Sequence, residues 1–313
     1  MTNALRLSWL TFILATALAA VVSTERADAQ PLHLWDFSAA DELADSAGSL
    51  DLIEAPGEGD VGGAVGTGGD IVYEPGFKGI GQAYRPYYVD SASSSTAGAG
   101  LTGSGFTSPS QFTIEAIVKA DAKTTGSAVN YIFQTRPGSD RGYFLIQDED
   151  GIAPSSVGGL GSIIGSNFGD VAIGGEYDAD ETWMFIAATI DLSPAATANV
   201  DIYSAVLDPN APPPAPTLTV SGKMFNTANP DALSGSTGVF GVGGFAVDRN
   251  GDSTAEASQE WFQGAIDYIA IYDGLLSGSD LADHLAARYV PEPSSLALAA
   301  GLACLLGLVR RRR

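Results

Sequence analysis

The central part of the chain consists of short runs in which apolar and polar residues alternate, separated by turns rich in glycine, serine and aspartate. In residues 112–119, every second position is apolar, namely Phe112, Ile114, Ala116 and Val118. This spacing places the four side chains on one face of a β-strand. The 38 glycines among 313 residues can supply turns between many short strands. The sequence therefore predicts an all-β domain.

Similar runs predict the other strands, at residues 32–37, 71–73, 130–135, 142–147, 183–192, 199–207, 238–247 and 259–272. One convincing helix is predicted, from Gly278 to Arg288, with Ser277 as its N-cap. The proline-rich residues 208–216 are predicted to form a stiff excursion of a hairpin. The Ser/Gly/Ala-rich residues 91–105 are predicted to form a long surface loop. We expect two sheets packed face to face as a sandwich.

Glu115 is the acidic residue inside the apolar run 112–119. Alternation places it on the outward face of that strand, so we expect a surface position. His33 and His284 are the two histidines and lie far apart in the sequence. That separation argues against a histidine-rich metal site and against a Ser-His-Asp triad.

The first 29 residues have the parts of a secretory signal peptide. Arg6 gives a small positive start, and residues 7–22 are predominantly apolar. Ala27 and Ala29 form an A-x-A cleavage pattern, so the mature chain is predicted to begin at Gln30. An uncleaved membrane anchor is the alternative, which the short apolar region and the cleavage pattern disfavour.

The C-terminal segment 290–313 has three parts in a fixed order. They are the triplet Pro291, Glu292 and Pro293, the uncharged residues 294–309, and the cluster Arg310, Arg311, Arg312 and Arg313. The prolines separate the uncharged run from the folded body, and a helix over 294–309 would be about 24 Å long. This is slightly short of the ~30 Å hydrocarbon core, and snorkelling arginines can cover the difference. We predict a transmembrane helix with its arginines in the cytoplasm; a buried C-terminal helix is the alternative.

This C-terminal order resembles the PEP-CTERM sorting signal of Gram-negative bacteria. The resemblance implies that an exosortase, a transpeptidase-like membrane enzyme, cuts near the triplet and releases or re-attaches the body. The expected organisation is a signal peptide at 1–29, a folded body at 30–289 and a sorting signal at 290–313. The expected destination is the cell envelope, the outer surface or the extracellular matrix, with transient anchoring in the inner membrane.

A second resemblance covers residues 32–289. The block that carries it best is FQGAIDYIAIYD at 262–273, with Leu276-Ser277 and the predicted helix after it. With the runs 112–119, 183–191 and 200–203, this block resembles the LamG-like family of concanavalin A-like jelly rolls. The chain departs from the family at Tyr268, where an acid is common, and at the proline-rich insertion. The resemblance implies carbohydrate binding, adhesion or surface assembly, and less often catalysis.

The body between the two terminal signals is strongly acidic. It holds nine of the 15 basic and 34 of the 37 acidic residues, a net charge of −25. This charge disfavours nucleic acid and anionic lipid as partners and favours divalent cations or neutral ligands. Solubility or adaptation to salt is the alternative explanation. The single cysteine, Cys304, lies in the tail, so disulfides contribute nothing to the body.

Oxygen-bearing side chains occupy alternate positions at Asp248, Asn250 and Asp252. This spacing lets a tight loop wrap a calcium ion. The loop is not an EF-hand, because Ser253 and Gln259 replace the glycine and glutamate that an EF-hand requires. The alternative is an Asp/Asn/Gly turn without metal.

Residues 176–181 reproduce the E-x-D-x-x-E spelling of jelly-roll β-glucanases, with Glu176 and Glu181 as the two outer acids. Such enzymes need two carboxylates about 5.5 Å apart on a strand, whereas this polar string is typical of a solvated loop. We therefore favour a non-catalytic surface or matrix protein that binds exopolysaccharide or another glycan. A polysaccharide hydrolase and a purely structural matrix component remain the alternatives.

Overall fold

The computed structural model describes residues 29–37, 43–56, 71–86, 99–121, 129–136, 142–148, 159–165, 171–176, 182–191, 198–224, 237–247, 254–255, 257–259 and 261–289. The strands are β1 (His33–Asp36), β2 (Ile53–Pro56), β3 (Val72–Pro75), β4 (Gln82–Arg85), β5 (Ala99–Thr107), β6 (Gln111–Ala120), β7 (Val129–Arg136), β8 (Gly142–Asp148), β9 (Gly159–Gly165), β10 (Val171–Glu176), β11 (Trp183–Asp191), β12 (Ala198–Leu207), β13 (Thr217–Met224), β14 (Thr237–Val242), β15 (Phe245–Val247), β16 (Ala257–Gln259) and β17 (Gly264–Asp273). Helix α1 (Gly278–Tyr289) comes after β17, and a short 3-10 turn lies at Phe77–Gly79.

The strands form two large antiparallel sheets. The eight-stranded sheet has the order β13-β12-β11-β6-β17-β4-β3, and β1 also pairs with β17. The seven-stranded sheet has the order β10-β9-β8-β7-β14-β5-β2. The predicted all-β class and two-sheet sandwich are confirmed. Among the described residues, no helix is long and apolar enough to cross a membrane.

The core lies between the inward faces of the two sheets. The four apolar residues of the run 112–119 that share one face are all buried there, as predicted. Trp35, which is fully buried, packs its ring against Phe240 at 5.2 Å between centroids. Its indole N–H donates to the Leu50 carbonyl at 2.8 Å, so the polar end of this large core side chain is satisfied.

Helix α1 covers part of the outer face of the eight-stranded sheet. Its Leu281, Leu285 and Tyr289 join a second apolar cluster that includes Phe185 of β11. The helix begins with reciprocal hydrogen bonds between Ser277 and Asp280, which satisfy free backbone donors at the N-terminus. The predicted helix and cap are therefore confirmed, with an end one residue later.

The prediction of a surface loop over 91–105 is wrong from residue 99 onward, because Ala99–Thr107 forms β5. This strand lies between β14 and β2. Small residues conceal its alternation: a Cβ on Gly103 would collide with the buried Phe240 ring, so glycine occupies a core-facing position. Packing against a large neighbour, rather than strand propensity, sets the sequence here.

Candidate functional site

Glu115 does not lie at the surface as predicted; it is 1% exposed. The outward face of β6 is covered by α1, which the strand pattern alone could not reveal. One carboxylate oxygen accepts hydrogen bonds from the Tyr268 and Tyr272 hydroxyls at 3.0 and 2.9 Å. The other lies 3.0 Å from His284 Nδ1 on the helix. These three partners compensate the loss of hydration, so the buried carboxylate fastens the helix to the sheet.

An ionic contact also fastens α1, one turn further on. Arg288 donates to Asp36 Oδ2 at 2.7 Å and lies over the Tyr268 ring, 3.9 Å from its centroid. A cation above an aromatic face is attracted to the ring quadrupole. Tyr268 occupies a position where the resembled family commonly carries an acid. Its hydroxyl donates to Glu115, and its ring lies under Arg288. The charged groups beneath the helix have a structural role.

Asp267 lies beside this network and is less well satisfied. Its Oδ1 accepts a backbone hydrogen bond from Phe77 N–H at 2.8 Å. Burial and the neighbouring Asp36 charge raise the pKa of Asp267 to about 7, against the opposing effects of that hydrogen bond and of Arg288. A carboxyl group therefore titrates near neutral pH at the junction of the sheet and the helix.

Asp45, in the loop between β1 and β2, has many hydrogen-bond donors, and its pKa is shifted in the opposite direction to that of Asp267. Its two oxygens accept hydrogen bonds from the backbone N–H groups of Leu34, Ala47, Gly48 and Leu50, and Oδ2 lies 2.6 Å from His33 Nδ1. Burial raises the pKa of Asp45, but these bonds outweigh it and lower the pKa to about 2. The carboxylate organises the loop, and each histidine has its own carboxylate partner.

A group of charged and aromatic side chains reaches the surface, and we call it the Trp183 patch. It consists of Trp183, Lys119, Glu74, Arg85 and Asp121. Lys119 Nζ lies 5.3 Å from the centroid of the Trp183 ring and 2.5 Å from Glu74 Oε1. Arg85 donates from Nε to Glu74 at 2.9 Å and from both terminal nitrogens to Asp121.

The patch is built by register across neighbouring strands of the eight-stranded sheet. Trp183 of β11 faces Lys119 of β6 directly, and their side chains share the outward face with the cluster beneath α1. The four ionic side chains are 16–22% exposed, so they combine solvent access with fixed positions. Bonds to Lys119 and Arg85 outweigh the effect of burial and lower the pKa of Glu74, which keeps it ionised.

The patch combines an aromatic surface with planar hydrogen-bonding groups. An indole ring can stack against the apolar face of a sugar, while carboxylates and a guanidinium group bond to its hydroxyls. Two cations and two anions make the patch locally neutral.

Sequence reasoning missed this group because Trp183 looked like the first residue of a core strand, and strand pairing is not visible in the sequence.

The residues singled out from the sequence have different positions in the structure. Ala29 and Gln30 are described, whereas Ala27, the whole segment 290–313 and the calcium candidates Asp248, Asn250 and Asp252 lie outside the described residues. Glu176 is the last residue of β10, and Glu181 is outside the described residues. In the described ranges, no group of three or more His, Cys, Asp or Glu could hold a metal ion.

Comparison with known proteins identifies the fold. No family model matches the sequence, and no curated protein matches it. Domain 4 of a GH43 extracellular arabinanase from Geobacillus stearothermophilus, solved in complex with arabinotriose, has a TM-score of 0.53 and 19% identity, and the match covers 82% of this chain and 99% of that domain. A likeness of this size shows a shared β-sandwich fold.

Weaker matches include the botulinum neurotoxin serotype D binding domain, with a TM-score of 0.49, 11% identity and coverage of 83% of this chain and 51% of that one. Another is the CBM40 of Ruminococcus gnavus IT-sialidase bound to α2,3-sialyllactose, with a TM-score of 0.39, 14% identity and coverage of 59% and 97%.

Proposed function

We propose that the protein is an exported, non-catalytic glycan-binding module that acts at the cell surface or in the extracellular matrix. The observation that carries this proposal is the Trp183 patch. A half-buried indole ring lies beside a fixed set of hydrogen-bonding groups on the outer face of a β-sandwich. Aromatic stacking with a few well-placed polar groups is how shallow protein sites hold sugars.

The ligand class can be argued from charge. The body carries a net charge of −25, which repels acidic polysaccharides at low ionic strength. The patch is locally neutral, so a neutral polysaccharide meets no electrostatic penalty there. The fold shared with a domain solved in complex with arabinotriose supports arabinan as the first polymer to test.

The protonation state of Glu74 favours binding over hydrolysis at the patch. A glycosidase needs a carboxylic acid that remains protonated beside the scissile bond. Glu74 has a lowered pKa, and Asp121 is bound by Arg85. The carboxyl of Asp267, with a pKa near 7, accepts the backbone hydrogen bond of Phe77 N–H.

Affinity electrophoresis in gels that contain arabinan, a neutral β-glucan or an acidic polysaccharide tests the proposal. We expect retardation by a neutral polymer, and we expect Trp183→Ala to weaken binding by about tenfold or more, as loss of an aromatic anchor does. Tyr203→Ala is the matched control, because Tyr203 is partly buried against the same outer cluster but lies outside the patch. Equal losses in both variants, or no retardation in any gel, would contradict the assignment.

Export and sorting are a separate part of the proposal, supported by the sequence of 1–29 and 290–313. Mass spectrometry of the mature protein should give Gln30 as its first residue and a C-terminus near Pro291–Pro293 in cells with the sorting enzyme. A mature chain that retains Arg313 would identify an ordinary anchor instead.

Repeating the glycan assay with calcium and with a chelator tests whether Asp248, Asn250 and Asp252 contribute a metal site.

A further inference from the structure

Three residues form a row across the middle of the seven-stranded sheet. Gly241 of β14 lies opposite Gln134 of β7 on one side and opposite Thr102 of β5 on the other. Directly opposed residues of antiparallel strands point to the same face. The neighbours of Gly241 in β14, Phe240 and Val242, are in the core, so the row faces away from the core.

A hairpin of the chain covers this row. After β14 the backbone turns at Gly243, whose φ is 68°, and β15 passes back over the outer face of the sheet. A Cβ on Gly241 would collide with the Gly244 carbonyl oxygen and lie 2.9 Å from Ala246 N. Glycine is therefore required at 241, because the backbone of the hairpin occupies the place of a side chain.

The hairpin is held by two side chains of the sheet. Ala246 N–H donates to Gln134 Oε1 at 3.0 Å, and Ala255 N–H donates to Ser104 Oγ at 3.1 Å. A small apolar cluster of Val239, Ala246 and Ala255 supports these bonds. The first bond also orients the Gln134 amide, because its oxygen must face Ala246 and its nitrogen must face elsewhere.

Two polar groups in the covered row have no partner among the described residues. Gln134 and Thr102 are both 0% exposed, and within the described ranges neither Gln134 Nε2 nor Thr102 Oγ1 has a hydrogen-bond partner. Leaving such groups unsatisfied is costly, and buried groups that no protein atom satisfies are bonded by ordered water in native proteins. The amide offers two donors, the hydroxyl offers a donor and acceptors, and the Gly244 carbonyl lies over the glycine between them.

We propose that this row is an internal binding site for a single neutral oxygen ligand, a water molecule, held by Gln134, Thr102 and the Gly244 carbonyl. Water fits because it both donates and accepts, and because a buried water usually has about three polar partners. The bound water joins the hairpin to β5 as well as to β7. The site lies on the other sheet from the Trp183 patch and does not depend on glycan binding.

Substitution of Thr102 by valine tests this site through the sign of the change in Tm. Valine keeps the shape and removes the hydroxyl. If the hydroxyl binds a water, Thr102→Val lowers Tm by about 2–4 °C, as expected for loss of one hydrogen bond in a domain of this size. If the hydroxyl is unsatisfied, the same change leaves Tm constant or raises it, because it removes a buried polar group that has no hydrogen-bond partner.

Thr135→Val is the matched control. Thr135 Oγ1 is also buried without a partner in the part of the chain that the structure describes, but Thr135 lies opposite Phe240, on the core-facing side, where an aromatic ring is a poor partner for water. We expect Thr135→Val to keep or raise Tm, and Thr102→Ser, which retains the hydroxyl, to stay closer to the wild type than Thr102→Val. A crystal structure should show the water in the wild type and not in Thr102→Val. A Tm for Thr102→Val that is equal to or above the wild type, or equal decreases for both valine variants, would overturn the proposal.

Discussion

The pKa values of two aspartates in this sandwich, Asp45 and Asp267, are shifted in opposite directions. Asp45 is 6% exposed, yet its hydrogen bonds lower its pKa to about 2 despite burial. Asp267 is partly buried, and burial together with Asp36 raises its pKa to about 7. The difference lies in donors: four backbone N–H groups and His33 face Asp45, whereas Phe77 N–H faces Asp267.

The comparison shows that burial raises the pKa of both carboxyl groups, and that the number of hydrogen-bond donors decides whether this effect is outweighed. The two residues consequently have opposite effects on stability. Asp45 stabilises the folded state above its unfolded pKa near 4, and this contribution is lost as pH falls from about 4 to 2. Asp267 binds its proton more tightly in the folded state, so stability decreases as pH rises from about 4 to 7.

The largest effect is expected from Asp45→Asn. An amide nitrogen would face N–H donors that now meet a carboxylate oxygen, so the free energy of unfolding should fall by about 3 kcal/mol at pH 7. Urea denaturation at pH 7 and at pH 2.5 measures this change. The variant should approach the wild type at pH 2.5, where wild-type Asp45 is partly protonated; an equal loss at both pH values would contradict the role of its charge.

A smaller effect of opposite sign is expected from Asp267→Asn. The amide oxygen can still accept from Phe77 N–H, and the cost of ionising a buried group disappears. We expect a gain on the order of 1 kcal/mol at pH 8, discounted for partial exposure, and little change at pH 4. Thermal unfolding at the two pH values checks this, and destabilisation at pH 8 would show that the ionised form is needed.

The smallest effect is expected from Asp36→Asn, which separates the two causes of the raised Asp267 pKa. Asp36→Asn removes the like charge but leaves the burial, which is the larger cause. The pKa of Asp267, monitored by the carboxyl ¹³C chemical shift, should therefore fall only part of the way from about 7 towards the usual aspartate range. A return to the usual range would assign the whole shift to charge repulsion.

Much of the fold was predictable from the sequence because local patterns determine it. Alternation identified β6, and the Ser277 cap identified α1. Strand β5 was missed because its core-facing Gly103 makes room for Phe240, a requirement set by a residue far away in the sequence. Tertiary contact, not propensity, decides such positions.

The candidate site was less predictable for the same reason. Glu115 was expected at the surface because nothing in β6 indicates that a helix about 165 residues later covers that face. The Trp183 patch depends on the register between β11 and β6 and on charges brought in by β3 and β4. Register is specified by the packed face of a sheet, so these neighbours emerge only when the sandwich is assembled.

The end of α1 has a mechanical consequence. Tyr289 packs edge-to-face with Phe77, with 5.1 Å between the ring centroids, and Lys78 Nζ donates to the Tyr289 carbonyl at 3.2 Å. Lys78 adopts a φ of 60°, a left-handed conformation that costs a non-glycine residue about 1 kcal/mol. In a protein retained through the chain beyond Tyr289, a pulling force would reach this contact first. Because Phe77 is bonded to Asp267 in β17, the load would be shared with the centre of the sheet, and α1 would resist peeling from its free end.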